Sequence, residues 1–286
     1  WVNGASMNNQ GVEFTVSFKS DPSSEFQWAV SANIGTYKTE LTDLPSNVIN
    51  KYAGDGVHDL ILGRSPNSAY GLVADGIFKT QEEVDAHADQ PGKAVGRIRY
   101  KDLDGDGVIN ETYDRTWIGC YDPDFFGGLN FDFAYKGFDL NLFFEGMFGN
   151  DVNSDWKKES DIWLFTNPAW KNHATRMLGG WSPDNPNSDI PAISNNTANQ
   201  EQRFSSWFIE DGSYIKLRNI ELGYTFPTKL IKKMHMSNLR LYAAAYNVFT
   251  LKKFWGDDKY TSFDPERPSY HYLTPFTFNF GINVSF

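Results

Sequence analysis

A chain of 286 residues can form one large domain or two ordinary ones, and 40% hydrophobic against 22% charged residues excludes a disordered chain. The 36 Asp+Glu outnumber the 26 Lys+Arg, giving a net charge of −10, so no nucleic-acid partner is expected, because such binders carry a basic patch. No run approaches the roughly 18 apolar residues of a membrane-spanning helix. A transmembrane β-barrel stays open, since its apolar face is hidden in alternation. Cys120 is the single cysteine and can form no intrachain disulfide.

From the first residues onward the periodicity is two, the period of strands. Val12, Phe14, Val16 and Phe18 oppose Glu13, Thr15, Ser17 and Lys19. The pattern starts with no leader before it, so the chain reads as a fragment of a longer protein. Phe26, Trp28, Val30, Ala32 and Ile34 then oppose Gln27, Ala29, Ser31 and Asn33. Leu129, Phe131, Phe133 and Tyr135 oppose Asn130, Asp132, Ala134 and Lys136. Phe138, Leu140, Leu142 and Phe144 oppose Asp139, Asn141 and Glu145, with Phe143 breaking the rule. Weaker alternation marks 213–226 and 238–250. The last segment sets Phe276, Phe278, Phe280, Ile282, Val284 and Phe286 against Thr277, Asn279, Gly281, Asn283 and Ser285. Seven strands of about ten to fourteen residues are predicted, long enough to cross a bilayer at a tilt.

The connections alternate too. Ser20–Ser24, Lys136-Gly137 and Pro227–Ser237 are short, whereas 41–124, 151–212 and 251–275 are long. Short turns at one rim and long loops at the other describe an outer-membrane barrel. The alternative is a soluble β-sandwich with the apolar faces as its core, either a secreted calcium-binding adhesion or glycan-binding module or a glycan hydrolase. A hydrolase would need two carboxylates about 5–9.5 Å apart in a cleft. Inside the first long connection, Thr80 followed by Glu83 forms a capping box and predicts one short helix.

The sharpest chemical motif is Asp102-Leu103-Asp104-Gly105-Asp106-Gly107-Val108-Ile109-Asn110. Carboxylates at alternate positions converge on one hard cation, Gly107 permits the turn, and the Val108 carbonyl supplies another oxygen. The usual closing Glu of such a loop is replaced by Tyr113, so Asp114 becomes the expected closing carboxylate. Asp102, Asp104, Asp106, Val108 and Asp114 are thus the expected ligands of a structural calcium ion. The alternative is an Asp/Gly-rich surface turn with no ion. No metalloprotease spacing, G-x-S-x-G elbow or P-loop is present, so no enzyme is expected. Trp156, Trp163, Trp170 and Trp181 lie in the second long connection, with Trp207 near its end. They are candidates for cargo contact, although packing of the loop against itself explains most of them equally well.

The run Asp211-Gly212-Ser213-Tyr214-Ile215-Lys216-Leu217-Arg218-Asn219-Ile220-Glu221-Leu222-Gly223-Tyr224-Thr225-Phe226-Pro227 resembles the SusC/RagA-type TonB-dependent outer-membrane transporters. So do Tyr246-Asn247-Val248-Phe249-Thr250, Phe263-Asp264-Pro265-Glu266 and Phe280-Gly281-Ile282-Asn283-Val284-Ser285-Phe286. Gly71–Phe78, Asp102–Asn110 and Trp181-Ser182-Pro183 extend the likeness upstream. The resemblance implies an all-β, antiparallel transmembrane β-barrel segment. It would supply the last seven strands, residues 1–286, of a barrel of about 22 strands. The connections 41–124, 151–212 and 251–275 would be extracellular loops, and the plug domain would lie outside this chain. It also implies nutrient import, of oligosaccharide or peptide, across the outer membrane of a Gram-negative bacterium. The implied partners are a SusD-like surface lipoprotein, the TonB complex through the plug, and outer-membrane lipid.

Overall fold

The computed structural model describes residues 4–45, 60–162, 173–194, 196–252, 261–268 and 272–286. In chain order the strands are β1 (Ser6–Lys19), β2 (Phe26–Asp43), β3 (Ser68–Leu72), β4 (Ala74–Ile77), β5 (Ile98–Tyr100), β6 (Arg115–Cys120) and β7 (Phe125–Tyr135). They continue as β8 (Phe138–Phe148), β9 (Asp151–Asn153), β10 (Ile209–Asp211), β11 (Tyr214–Thr225), β12 (Asn238–Lys252) and β13 (Thr277–Ser285). The short helices are α1 (Gln81–Ala86), α2 (Asp155–Asp161) and α3 (Thr228–Ile231).

Among the described residues, seven strands form one antiparallel sheet in the order β1-β2-β7-β8-β11-β12-β13. These are the seven alternating segments of the sequence, although β2 (18 residues) and β12 (15 residues) exceed the expected length. Register keeps like with like. Phe18, Val30, Phe131, Leu142, Ile220, Ala245 and Phe278 face one another in a continuous row across the sheet. One residue along, the opposite face carries Lys19, Ala29, Asp132, Asn141, Glu221, Ala244 and Asn279. A one-residue slip in any strand would turn its whole apolar set to the other face, so the two rows fix the register together.

The apolar face is open. Phe18 is 62% exposed, Phe278 57% and Phe280 79%, and no second sheet covers them among the described residues. A soluble sandwich would bury these rings between two sheets, so that alternative fails here.

Turns at one rim are tight. Lys136 (φ 49°) and Gly137 (φ 88°) close the β7–β8 hairpin with both central residues left-handed, the backbone that matches strand twist. Ser20 Oγ accepts from Trp28 N at 3.0 Å and closes the β1–β2 turn, while α3 occupies the β11–β12 link.

At the other rim the long connections carry structure of their own. The first holds the ribbons β3–β6 and β4–β5 and the helix α1, and the second holds the ribbon β9–β10 and α2. Thr80 caps α1 as expected, accepting from Glu83 N at 3.3 Å, while Glu83 Oε2 reaches back to accept from Lys79 N at 2.7 Å. Leu72, Ile77, Ile98, Tyr100 and Ile109 of the first connection share a buried core with Ile162 and Phe208 of the second. The two connections therefore fold as one cap with a buried core of its own.

Candidate functional site: the aspartate loop and the polar face

The loop after β5 is shaped by its own carboxylates. Asp102 Oδ1 accepts from Gly105 N at 2.7 Å and its Oδ2 from Gly107 N at 2.9 Å. Asp104 accepts from Asp106 N at 3.1 Å, and Asp106 from Val108 N at 2.7 Å. Gly105 (φ 76°) and Gly107 (φ 84°) take the left-handed backbone that lets the chain wrap around these side chains. Desolvation pushes the Asp102 carboxyl up, but the amides of Gly107 and Gly105 outweigh it and hold it below the usual carboxylate range. One oxygen each from Asp102, Asp104 and Asp106 lies within 4.8 Å of the others, a donor set that can hold a metal ion.

Asp114 is not one of that group. It is fully buried, and its oxygens accept from Leu103 N at 2.8 Å and Asn110 N at 2.7 Å, bracing the loop from within. Val108 is exposed and bridges to Asp89, and the neighbouring Ile109 is 1% exposed in the cap core. The loop is thus fastened to the cap, with its carboxylates outward.

The polar face of the sheet is a second, larger constellation. Asn141 Nδ2 donates to Asp132 Oδ1 at 2.7 Å and to Asn130 Oδ1 at 3.0 Å, while Asn219 Nδ2 donates to Asn141 Oδ1 at 3.0 Å. Arg240 on β12 reaches Glu221 on β11 at 2.7 Å and Asp139 on β8. Nearer the long connections the register shifts between Leu217 and Asn219: β12 has one extra residue where it faces β11, and β11 has one where it faces β8. The extra residue there is Arg218, whose Nε donates to Glu145 Oε2 at 2.9 Å and whose Nη2 pairs with Glu266. Lys216, with a side chain only 3% exposed, meets Asp264 at 2.6 Å and also Glu266. Tyr214 donates to Glu266 Oε1 at 3.1 Å.

Alternation alone marks Asp132, Glu145 and Glu221 as facing away from the aromatic rows. The cations of this face, Lys216, Arg218 and Arg240, are not singled out by it. The available signal was the parity of Lys216 with Tyr214, but the bulge shifts parity at Arg218 and hides the match.

Among the tryptophans, Trp156 on α2 packs edge-on against Phe263, ring centroids 4.6 Å apart. Trp181 packs against the cap core, and Trp207 does the same beneath the Lys157 ammonium, 4.6 Å from its ring. Trp163 and Trp170 lie outside the described residues.

No protein-family model matches the chain. It is 30% identical over 298 residues to TonB-dependent receptor P3 of Formosa agariphila, covering 98% of this chain and 29% of that receptor. It is 26% identical over 297 residues to TonB-dependent receptor SusC of Bacteroides thetaiotaomicron, covering 99% of this chain and 27% of that receptor. The solved structure of the RagAB peptide transporter superposes with a TM-score of 0.72 at 22% identity, covering 99% of this chain and 30% of that one, which shows a shared fold. The chain spans less than a third of the length of each of these relatives. Over nearly its whole length, this chain is homologous to part of the SusC/RagA-type TonB-dependent receptors, outer-membrane proteins of Gram-negative bacteria.

Proposed function

We propose that residues 1–286 supply the C-terminal part of the wall, and much of the outer mouth, of a TonB-dependent nutrient importer. The observation that carries this reading is the two-faced sheet, with exposed aromatic rows on one side and hydrogen-bonded polar side chains on the other. Lipid accepts the first face and a polar lumen the second. β1 and β13 each leave an unpaired edge among the described residues, which a bilayer cannot satisfy unless further strands close the ring. A barrel of about 22 strands encloses a plugged lumen, so this chain would be roughly a third of the wall.

In this reading the tight turns face the periplasm and the cap faces outward, where a SusD-like lipoprotein docks. The TonB complex acts through a plug contributed by another part of the receptor. Calcium, held by Asp102, Asp104, Asp106 and the Val108 carbonyl with Asp114 bracing the turn, stiffens the cap. The connection 41–124 carries 15 Asp+Glu against 8 Lys+Arg, so strongly anionic cargo is repelled unless calcium offsets part of that charge. Neutral oligosaccharides fit best and mixed-charge peptides second, and the chain performs no covalent chemistry on either.

The test is uptake of fluorescent neutral oligosaccharides and peptides by cells with and without the complete receptor. Accumulation that needs both the receptor and the proton gradient is expected. Equal accumulation without the receptor, or hydrolysis of the oligosaccharides by purified protein, would overturn the reading.

A further inference from the structure

Residues 261–268 belong to the last long connection, yet they lie against the polar face of the sheet. Glu266 reaches Arg218, the fifth residue of β11, roughly 13 Å down the strand at ~3.3 Å per residue. Asp264 and Glu266 close over Lys216. Thr261 Oγ1 donates to Glu210 Oε1 at 2.8 Å, Ser262 and Ser154 hydroxyls meet at 2.7 Å, and Lys252 Nζ donates to the Phe263 carbonyl at 2.9 Å. The segment is therefore tied to the wall on β11 and β12 and to the cap through β10 and the start of α2. Its buried side carries Ser262, Asp264 and Pro265, while Phe263, Glu266 and Arg267 remain exposed.

We propose that residues 261–268 form an inward-folded strut that lines and narrows the passage along the polar face. The strut presents Phe263, backed by Trp156, and Arg267 to whatever passes. An exposed aromatic ring and an exposed guanidinium on one short segment suit a sugar ring or the backbone and carboxylate of a peptide. The proposal rests on the importer reading, but its geometry can be measured without transport.

The experiment is thiol labelling of the complete receptor on intact cells, in a Cys120→Ser background otherwise lacking reactive thiols. Phe263→Cys and Arg267→Cys are compared with Leu178→Cys, a position 90% exposed on the outer cap. A small methanethiosulfonate should label all three, and a bulky polyethylene-glycol maleimide only Leu178→Cys. Adding Lys216→Met should admit the bulky reagent to Phe263→Cys. Glu266→Gln, a milder release of the same cluster, is read if the first variant fails to assemble. Bulky labelling at 263 and 267 as fast as at 178, or no labelling there by either reagent, would overturn the strut. Unchanged labelling in assembled release variants would overturn the role of the ion cluster. Size-limited labelling in a receptor that imports nothing would keep the strut and remove the importer.

Discussion

Arg97 and Glu201 are each 6% exposed at the side chain and 2.7 Å apart, one in each of the two connections that build the cap. Glu201 also accepts from Ile98 N at 2.9 Å, so the pair joins β5 to the second connection. Arg97→Met would leave a buried carboxylate without its cation, at a cost of about 3–5 kcal/mol. The expected result is faster hydrogen exchange at 97–100 and around 201, with β7, β8 and β11 unchanged. Glu266 makes a different prediction. Burial pushes its carboxyl up, but Arg218 and Lys216 outweigh burial and hold it at about 2, against 4.5 when free. A depressed folded-state value means that docking of 261–268 is strongest above pH 4.5 and weakens as the pH falls toward about 2. Hydrogen exchange of that segment should be insensitive to pH-dependent release at neutral pH, after correction for intrinsic exchange, and rise only in that acid window.

At the scale of elements, β13 offers a two-residue test of which face meets lipid. Phe280 lies on the aromatic face and Asn279 on the polar one, the latter opposite Ala244. Phe280→Arg should cost about 2–4 kcal/mol if the position sits near the bilayer middle, whereas Asn279→Arg should cost far less. The measurement is the fraction of complete receptor that assembles in the outer membrane and shows heat-modifiable gel migration. Five of the seven long strands are legible in sequence because each repeats its period over many residues, while β11 and β12 show it more weakly. The helix α1 is legible because Thr80 and Glu83 sit at capping distance, and Thr80→Ala should cost it about 1 kcal/mol. The ribbons β3–β6, β4–β5 and β9–β10 are not legible in this way. Strands such as Ile98–Tyr100 have three residues, too few for a period, and are held by docking onto the cap core.

For the molecule as a whole, the cap behaves as one unit drawn from two distant stretches of chain. Phe208 is 1% exposed between them, and Phe208→Ala should cost about 3–5 kcal/mol and loosen both connections together. Exchange at Ile98, Tyr100 and Ile109 should rise alongside that at Ile209, while the sheet keeps its protection. Deleting 151–212 entirely would remove Phe208 and Glu201 and expose the remaining half of the core, so point variants report on the mouth more cleanly. Calcium adds a test at the same scale. Titration with millimolar calcium should release heat and slow exchange across 102–108, and Asp104→Asn should abolish both effects without altering the strands.

The sequence by itself determined the seven-strand pattern, the face of each alternating residue, the capped helix and the aspartate loop. Each depends on residues close in the chain, where covalent geometry dictates which side chains share a face. Only the tertiary structure decided that Asp114 braces its loop from within, that two long connections share one core, and that Arg218 joins Glu145 to Glu266. Those last partners lie 73 and 48 residues from Arg218. No local period records contacts of that separation. They arise because strand register and a bulge bring distant charges together at one height on the polar face, where partial burial favours pairing.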